Sequence, residues 1–465
     1  MNPIEVSYTY EDVSLVPKMS DILSIKDINI CTRVAKGLPY IRCPIISSPM
    51  SSVTEEDMAI HMAMYGGIGV LHRYNTIQEH VQMVENVKNY LNYITPRSKI
   101  AIIKKYISSE QCKLTRIEDY IKDYTCEPDH GVVLVEELDG GFAGIMTGRD
   151  LVCACSTDTI ESVMTPFSKC IYVRFSDMSR IKINQIFANH KNISCIPVLN
   201  SVDHIVGLVH IQDFFEKNGT NGASLNNSGT LLVGCEVGCE GDYLERARSV
   251  MNAGCDFLSV SMGHGHHIKV IDAIKTLKRE IPEAIIMAGN VSTYNGANDL
   301  IDAGADSIRC GSGLSNVSET NISIGVGVLP ITAMLNVCRA ANERNIPVIA
   351  DGGIRDASDM IKALAAGASA VMLGSILAGT GASPGSIFQK DGERCKLVRG
   401  KMHENGTLYD LTFKGLDRYV TFTGPLKNTL IKLCKNLKSG MLVCGYHNLE
   451  ELRQIDHTKF VIKTK

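Results

Sequence analysis

Several features that mark specialised classes of protein are missing from this sequence of 465 residues. Positive and negative charges are nearly balanced: the sequence has 47 Lys and Arg against 50 Asp and Glu, for a net charge of −3. This balance gives no electrostatic reason to expect binding to nucleic acid or to an anionic membrane. No apolar run approaches the ~20 residues that a membrane-spanning helix needs. The first residues, MNPIEVSYTYEDVSLVP, lack the basic and apolar regions of a signal peptide. We therefore expect a soluble, cytoplasmic protein that binds neither nucleic acid nor membrane.

Cysteine is present, but not in a pattern typical of zinc sites or disulfide frameworks. The 16 Cys are scattered without CxxC spacing, which in a cytosolic enzyme indicates reduced thiols in the core and on the surface. His264, His266 and His267 stand close together, but no Cys or His partner lies at a matching spacing, so we interpret them as solvated loop histidines and predict no metal site there. Tryptophan is absent, which excludes nothing.

What the sequence does contain is a repeated unit, an apolar segment that ends in Gly or a polar residue and precedes an amphipathic helical pattern. Eight such segments are candidate strands: 45–50, 67–72, 231–238, 257–262, 284–290, 307–311, 347–353 and 370–375. They are continuous apolar runs, as expected for parallel strands that are buried on both faces. Helical patterns lie at 54–65, 242–253, 267–280, 331–344 and 357–366, and Thr54 with Glu56 and Asp57 predicts a capped start for the helix at 54–65. Eight units in one chain predict an α/β fold, a closed (β/α)8 TIM barrel.

The connection between the second and third candidate strands is too long for a loop inside a compact domain. We therefore predict that residues 1–94 and 221–465 form the barrel and that residues 95–220 form an inserted domain, with the Gly-, Asn- and Ser-rich stretch 218–229 as a linker. Within the insert, 131–150 and 194–213 each predict strand, turn, strand and then an Asp that starts a helix. The pair resembles tandem cystathionine-β-synthase (CBS)-type modules. This resemblance implies a regulatory domain that holds an adenine or guanine nucleotide; a structural lid without a ligand is the alternative.

In such a barrel the functional residues lie at the carboxyl ends of the strands, and phosphate is commonly held after strands seven and eight. Asp351, Gly352 and Gly353 follow the seventh candidate strand, and Gly374 and Ser375 follow the eighth. Glycines let backbone N–H groups approach phosphate oxygens closely, and a following helix N-terminus adds a favourable dipole. Asp351 would repel phosphate but suits a sugar with two hydroxyls that donate hydrogen bonds. We predict a sugar-phosphate site here; tight turns alone are the alternative.

A second glycine-rich segment, RCGSGLSNVSETNISIGVG at 309–327, follows the sixth candidate strand. Together with YTYEDVSLVP, SSPMSSVTEEDMA, GGIGVLHR, LLVGCEVG, AGNVST, ADGGIRDASDMIKALAAGASAVMLGSILAGT, KLVRGKM and LKSGM, it resembles the IMP dehydrogenase/GMP reductase family. The resemblance covers nearly the whole chain in the same order, including the inserted module pair. It implies a homotetrameric oxidoreductase of purine metabolism and GMP biosynthesis. Such an enzyme oxidises IMP to XMP with NAD and water, and a cysteine attacks C2 of the purine.

The resemblance also implies roles for individual residues. Those that match the family's phosphate and ribose contacts are Asp351, Gly352, Gly353, Gly374 and Ser375. Those on the purine side are Ser48, Met50 and Asn316, and those on the cofactor side are Ser261, Asn290, Gly311 and Gly313. Segment 311–318 would hold a monovalent cation such as potassium. Arg418 and Tyr419 match in type the family's Arg–Tyr pair, which activates water from a mobile flap.

Several positions depart from the family pattern, all of them on the catalytic and cofactor face. Counted back from GVG, the position of the nucleophilic cysteine is Ser318, with Thr320 as a second hydroxyl beside it. A serine hydroxyl needs an adjacent base, and no His lies nearby in the sequence; we interpret Cys310 as a packed core thiol. Ser261 stands where the family presents an Asp to the nicotinamide ribose, which weakens the prediction of NAD.

The remaining departures concern the strand-six loop and the flap. Asn316 and Asn321 replace a Ser and an Arg of the family's loop, and Val398 and Lys401 replace a Tyr and a Met after the barrel. The flap is short, because only about 20 residues separate Arg399-Gly400 from VTFTG at 420–424.

These departures leave three hypotheses open. The first is an IMP dehydrogenase-like enzyme, in which Ser318 or Thr320 lies within reach of C2 of the purine. The second is a catalytically inactive homologue that binds a purine nucleotide or regulates a partner subunit. The third is a GMP reductase, which the short flap favours and the insert disfavours, since many of those enzymes lack it. The loss of the cysteine does not discriminate between the first and the third, and we take the first as the working hypothesis.

Overall fold

The computed structural model describes residues 6–90, 94–96, 100–104, 132–137, 139–155, 157–178, 180–211, 214, 222–311, 325–390, 392–398, 418–454 and 460–462. Contacts between Cα atoms divide the chain into two compact units, residues 1–90 with 222–465, and residues 91–221. Within the described ranges, every helix is too short or too polar to span a lipid bilayer.

The strands and helices are numbered in chain order. The strands are β1 (Val13–Leu15), β2 (Ile45–Ser47), β3 (Ile68–Leu71), β4 (Ile94–Pro96), β5 (Ala101–Lys104), β6 (Val132–Glu136), β7 (Phe142–Thr147), β8 (Thr165–Pro166), β9 (Val173–Arg174), β10 (Cys195–Leu199), β11 (Ile205–His210), β12 (Val233–Glu236), β13 (Phe257–Ser261), β14 (Ile286–Val291), β15 (Ser307–Cys310), β16 (Val348–Asp351), β17 (Ala370–Leu373), β18 (Phe388–Lys390), β19 (Glu393–Val398), β20 (Arg418–Thr421) and β21 (Phe460–Ile462). The helices are α1 (Glu56–Met64), α2 (Ile77–Asn89), α3 (Gly148–Cys153), α4 (Ile160–Val163), α5 (Arg180–Asn189), α6 (Tyr243–Asn252), α7 (Ile268–Glu280), α8 (Tyr294–Asp302), α9 (Pro330–Asn342), α10 (Ala357–Ala365), α11 (Ser375–Ala378), α12 (Leu426–Val443) and α13 (Leu449–Arg453).

The larger unit is a closed barrel of parallel strands in the order β12-β13-β14-β15-β16-β17-β2-β3. Each of the eight predicted segments supplies one of these strands, so the predicted (β/α)8 barrel is confirmed. Apart from the partly exposed Asp351 at the end of β16, the strand residues are buried, which is why their apolar runs are continuous rather than alternating. Two further pairings lie outside the barrel: β18, β19 and β20 form an antiparallel sheet, and β1 pairs with β21.

The barrel interior is filled by every second residue of the strands, because successive side chains of a strand point to opposite faces. This cluster contains Leu232, Phe257, Met287, Ile349, Met372, Ile46 and Val70, all of them buried. The same alternation, carried to the last residues of each strand, decides which side chains line the carboxyl end of the barrel.

The predicted capping of the first barrel helix, α1, by Thr54 is wrong. The residue before α1 is Glu55, and its side chain forms no cap hydrogen bond. Thr54 is buried, and its hydroxyl donates to the backbone oxygen of Ser48 at 2.7 Å and contacts Ser47 Oγ at 2.9 Å. Thr54 therefore ties the start of the helix to the end of β2 rather than capping α1.

The smaller unit contains two four-stranded sheets, β4-β11-β10-β9 and β5-β6-β7-β8. In each, an antiparallel hairpin (β6 with β7, β10 with β11) comes from one of the two similar sequence segments. The prediction that an Asp starts the first helix is wrong by two residues. The helix begins at Gly148, and Asp150 accepts hydrogen bonds from the N–H and hydroxyl of Thr147 at 2.8 and 2.7 Å. Asp213, the corresponding residue of the second segment, lies outside the described residues.

Candidate functional site

Polar side chains replace the apolar interior at the carboxyl end of the barrel. Two or four residues beyond the buried apolar positions, the inward-facing residues of the strands are polar or glycine. We call this set the mouth layer; it consists of Ser48, His72, Glu236, Ser261, Arg309, Asp351 and Gly374. Carboxyl strand ends are where TIM barrels place their functional groups, so the mouth layer is the candidate site.

Asp351 is the centre of the hydrogen-bonded part of this layer. Its Oδ2 accepts hydrogen bonds from Asn290 Nδ2 at 2.8 Å and from Arg309 Nη2 and Nε at 2.6 and 3.2 Å. Within the described part of the chain these bonds all end on Oδ2. A carboxylate that is fixed through one oxygen can accept hydrogen bonds from ligand hydroxyls with the other. The structure thus brings together Asp351 and Asn290, two of the predicted site residues.

Arg309 holds this carboxylate in place from β15. The residue is 4% exposed, and its Nη1 also donates to Ser259 Oγ at 3.0 Å. Burial by itself lowers the pKa of the guanidinium, but the negative charges of Asp351 and Glu236 outweigh burial and raise the pKa of Arg309 above its ordinary value. The side chain is therefore a permanent cation between two carboxylates. Sequence analysis quoted Arg309 in a motif but gave it no role.

Glycines surround Asp351. Gly352 and Gly353 have φ angles of +109° and +74°, a backbone region that L side chains rarely adopt. At Gly311 a Cβ atom would lie 2.1 Å from the backbone oxygen of Asp351 and 3.2 Å from Asn290 Nδ2. A side chain at Gly311 would therefore displace the chain that carries Asp351.

The end of β17 lies beside the end of β2. The backbone N–H of Ser48 donates to the oxygen of Leu373 at 3.0 Å. A Cβ atom at Gly374 would lie 3.4 Å from Met50 Sδ and 3.9 Å from Ser48 Cβ. Ser375 is exposed and begins the short helix α11. Ser48, Met50 and Gly374, which were predicted to contact one ligand, are thus neighbours in the structure.

On the opposite side, β12 and β13 carry a different pair. Ser261 Oγ donates to Oε1 of Glu236 in a short hydrogen bond, and both residues are buried. Next to them, the N–H of Gly265 donates to the backbone oxygen of Asn290 at 2.9 Å. Sequence analysis missed Glu236. The available signal was a lone carboxylate at the end of the otherwise apolar strand LLVGCEVG.

Three other titratable side chains near the site are those of Cys310, His266 and His267. Cys310 is buried, and burial followed by the charges of Cys338 and Asp351 raises the pKa of its thiol well above the ordinary value. It is therefore protonated at neutral pH and is a poor nucleophile. His266 Nε2 lies 2.7 Å from Asp299 Oδ2, and His267 caps α7. Among the described residues, no three His, Cys, Asp or Glu side chains are grouped so that they could hold a metal ion.

The predicted catalytic residues are placed only in part. Gly313, Asn316, Ser318 and Thr320 lie outside the described residues. Arg418 and Tyr419 lie in β20, opposite Val398 and Leu397 of β19. The Tyr419 ring packs against Phe388 with centroids 5.3 Å apart, and Lys390 Nζ lies 3.7 Å from its centroid. Their catalytic role stays a prediction.

Comparisons with known proteins agree with the barrel fold. A family model described as IMP dehydrogenase / GMP reductase domain matches residues 7–465. An inosine-5′-monophosphate dehydrogenase from Nitrosopumilus maritimus is 36% identical over 462 residues, which cover 96% of this chain and 94% of that protein. A GMP reductase from Leishmania donovani is 32% identical over 465 residues, which cover 96% and 92%. The crystal structure of a Cys-to-Ala variant of GMP reductase from Trypanosoma brucei with guanosine 5′-monophosphate is 32% identical and has a TM-score of 0.82, covering 99% of this chain and 96% of that one.

Proposed function

Because this chain belongs to the IMP dehydrogenase/GMP reductase family, we propose that its mouth layer binds a purine nucleoside 5′-monophosphate, with IMP as the ligand. The observation that carries this proposal is Asp351, whose Oδ2 is fixed by Arg309 and Asn290. A carboxylate so fixed is an acceptor for two ribose hydroxyls.

The glycines next to Asp351 supply the phosphate side of the proposed site. With positive φ at Gly352 and Gly353, the backbone after β16 turns without side chains that would keep a phosphate away. Gly374 precedes α11, and Ser375 adds an exposed hydroxyl. Ser48 and Met50 lie beside Gly374 and would contact the purine. The structural relative from T. brucei, which was solved with guanosine 5′-monophosphate, supports a ligand of this class.

For activity, we propose slow oxidation of IMP: IMP, NAD+ and water give XMP, NADH and a proton. NAD accepts the hydride in this reaction. The residues on the cofactor side, Ser261, Asn290 and Gly311, supply a hydroxyl, an amide and a backbone without a side chain, groups of a kind that fits a dinucleotide ribose. The nucleophile position is Ser318, and a serine hydroxyl is far less reactive than a thiolate without an adjacent base. The chain is therefore expected to bind IMP better than it transforms it.

Two measurements on the parent protein and the Ser318→Cys variant test this proposal. A thermal-unfolding scan with IMP reports binding, and absorbance at 340 nm with IMP and NAD reports turnover. We expect stabilisation by IMP in both proteins and a much faster rate in the cysteine variant. If IMP stabilises neither protein, the site assignment is wrong; if Ser318→Ala turns over at the parent rate, the nucleophile assignment is wrong.

GMP reduction is the second candidate, and one comparison favours it. The insert was taken as an argument against a GMP reductase, but the L. donovani GMP reductase aligns over 96% of this chain and 92% of its own length. The length of the chain therefore does not count against a GMP reductase of this kind. Here GMP, NADPH and two protons would give IMP, NADP+ and ammonium. Loss of absorbance at 340 nm with GMP and NADPH, compared with its rise with IMP and NAD, assigns the direction.

We further propose that the insert is a pair of CBS-type modules that binds an adenine or guanine nucleotide. Its two hairpins, each followed by a helical residue or helix, support the module pair. Binding of ATP or GTP to the full-length Asp351→Ala protein, in which the barrel site is disabled, tests it. A homotetramer and a potassium ion at 311–318 complete the proposal; light scattering and the dependence of the rate on potassium test these two.

A further inference from the structure

Two cysteines that are far apart in the sequence meet between the start of β2 and helix α12. Cys43 stands two residues before β2, and Cys434 lies near the middle of α12. They are 391 residues apart in the chain, but their Sγ atoms are 3.2 Å apart. The sulfur atoms of a disulfide are separated by about 2.05 Å, so bonding requires the two side chains to approach by only about 1 Å. Both thiols are free, and both belong to the larger unit.

Regular structure on both sides holds this pair in place. Cys43 is 4% exposed, and its backbone N–H donates to the oxygen of Gly66 at 2.8 Å. Helix α12 buries Leu430, Leu433 and Leu437 and packs against α1 and α10. The contact between the two sulfur atoms therefore follows from the packing of the folded barrel.

The two thiols differ in reactivity. Cys434 is partly exposed, whereas Cys43 is buried. A hydrogen bond from Cys43 lowers the pKa of the Cys434 thiol, and the positive charge of Lys438 lowers it further, which outweighs the opposing effect of burial. The same hydrogen bond, followed by burial, raises the pKa of Cys43 well above its ordinary value. Because the thiolate is the nucleophile of cysteine chemistry, Cys434 is the reactive member of the pair, and Cys43 is the thiol that attacks second.

A second cysteine pair in the barrel provides a comparison. Cys235 in β12 and Cys255 before β13 interact with each other, and both are buried. Burial raises the pKa of the Cys235 thiol well above its ordinary value, and the hydrogen bond with Cys255 raises it further. Cys255 Sγ donates to the backbone oxygen of Phe257 at 3.1 Å. These thiols are neighbours without being reactive, whereas Cys434 combines a neighbouring thiol with partial exposure and a nearby positive charge.

We propose that Cys43 and Cys434 are a site of reversible oxidation, at which a peroxide forms a disulfide that fastens α12 to the start of β2. The Cys434 thiolate attacks one oxygen of hydrogen peroxide and the O–O bond breaks; Cys434 becomes a sulfenic acid, and the released hydroxide takes up a proton to give water. The Cys43 sulfur then attacks the sulfur of the sulfenic acid and the S–O bond breaks; the hydroxyl leaves with the Cys43 proton as a second water. In total the two thiols lose two electrons and two protons, and the peroxide is reduced to two waters. A dithiol reductant restores both thiols by exchange.

The expected consequence is a barrel that is harder to unfold. The disulfide would join residues 391 positions apart and would restrict the unfolded chain over most of the larger unit. Cys43 precedes β2, whereas Ser48 and Met50, which are proposed to contact the purine, follow the other end of this strand. The inference is therefore independent of the proposed nucleotide binding.

The test is treatment of the folded, full-length protein with hydrogen peroxide, followed by blocking of the remaining thiols with N-ethylmaleimide in urea and tryptic mapping by mass spectrometry. Trypsin releases Cys43 in peptide 43–73 and Cys434 in peptide 433–435, and each peptide contains a single cysteine. We examine protein that runs as a monomer on a non-reducing denaturing gel. There we expect the two peptides to be joined, with the loss of two hydrogens, and to separate again after dithiothreitol.

Two single variants and a matched control distinguish this pair from the other thiols. Oxidation should raise the Tm of the parent by about 3–6 °C, and Cys43→Ser and Cys434→Ser should each abolish both the joined peptide and this rise. Cys444→Ser is the control: Cys444 is buried and ends the same helix, so the variant should keep both. The peptides that contain Cys235 and Cys255 should carry N-ethylmaleimide in every protein.

The other outcomes overturn the inference. If peptide 433–435 gains oxygen but is not joined to peptide 43–73, Cys434 is oxidised without a second thiol that attacks it. If Cys434 is joined to a different cysteine, the assignment of its partner is wrong. If both peptides carry N-ethylmaleimide after the peroxide treatment, the pair is not a site of oxidation. A joined peptide without a rise in Tm would refute the fastening of α12.

Discussion

The two sides of the barrel mouth each carry an acid with little exposed surface, Glu236 at 1% and the Asp351 side chain at 14%, but they hold it differently. On the side of β16 and β17, Asp351 receives three hydrogen bonds from Arg309 and Asn290 and is followed by two glycines with positive φ. On the side of β12 and β13, Glu236 is bonded by a neutral serine hydroxyl. The first arrangement is rigid and charge-compensated, as a preorganised binding site requires. In the second, the described hydrogen bond to the carboxylate comes from a neutral donor.

Removing the acid on the rigid side should have the largest effect. Asp351→Asn keeps the shape but leaves the buried Arg309 without its hydrogen-bonded carboxylate, and breaking a buried pair typically costs about 3–5 kcal/mol. We expect a loss of about 3 kcal/mol in the free energy of unfolding in urea and at least a tenfold weaker affinity for IMP.

Asp306→Asn is the control for that change, because Asp306 pairs with Lys278 outside the mouth layer, in the turn before β15. It should cost less stability, since both partners are partly exposed, and leave IMP binding unaltered. Equal losses of IMP affinity in the two variants would contradict the special role of Asp351.

A methyl group at Gly311 tests how tightly the backbone beside Asp351 is packed. The added Cβ would lie 2.1 Å from the backbone oxygen of Asp351, so the strand end must shift, at a cost of about 1–3 kcal/mol. The matched change on the other side is Gly263→Ala, where a Cβ would meet nothing within 4 Å. We expect its unfolding free energy to stay within about 0.5 kcal/mol of the parent value. Similar losses in both variants would mean that the two sides are equally constrained.

The side of β12 should instead make stability depend on pH, through His80 on α2, a helix that packs against β12. Burial, then the charges of Arg246 and His72, lower the pKa of His80 to about 3 in the folded protein. Above pH 6.5 neither state binds this proton, and the stability is fully present. As the pH falls below 6.5, the unfolded chain takes up the proton and the folded chain does not, so stability declines by about 1.4 kcal/mol per pH unit until the folded pKa is reached.

The difference in slope between parent and His80→Gln, from urea unfolding between pH 6.5 and 5, isolates this contribution from that of other groups. Averaged over this range, the slope should be shallower in the variant by about 1 kcal/mol per pH unit, because the unfolded imidazole is only half protonated at pH 6.5. His61→Gln on α1, whose ring contacts the backbone of Asp57, serves as the control for replacing a histidine by glutamine on a barrel helix. Parallel curves for parent and His80→Gln would show that His80 titrates alike in both states.

The contrast between the two sides of the mouth shows which parts of the site could be predicted from the sequence and which could not. The rigid side is local in sequence: Asp351, Gly352 and Gly353 are adjacent, and their position after an apolar strand predicted a sugar-phosphate site. The Glu236–Ser261 pair is formed by residues 25 apart, and the barrel pairs β12 with β13 only after folding. The strands themselves were predictable because continuous apolar runs identify doubly buried strands. The contact that Thr54 makes instead of capping α1 was not predictable, because its hydroxyl donates to the backbone oxygen of Ser48, a contact that forms only in the folded barrel.

The smallest expected effect concerns the helix that follows the rigid side. Asp356 caps α10, and its carboxylate accepts from the N–H groups of Ser358 and Asp359 at 2.8 and 3.0 Å. Asp356→Ala should cost about 1 kcal/mol in the free energy of unfolding. Because α10 begins soon after Gly353, fraying of its first turn should also weaken IMP binding, by about twofold.

Thr293 caps α8 after β14 by accepting from the N–H of Gly296. Thr293→Ala should cost about the same stability and leave IMP affinity alone. Urea unfolding together with IMP calorimetry on the two variants compares these effects directly. If Thr293→Ala weakens IMP binding as much as Asp356→Ala does, the nucleotide contacts extend across both sides of the mouth, and the division between a rigid nucleotide side and a separate cofactor side must be abandoned.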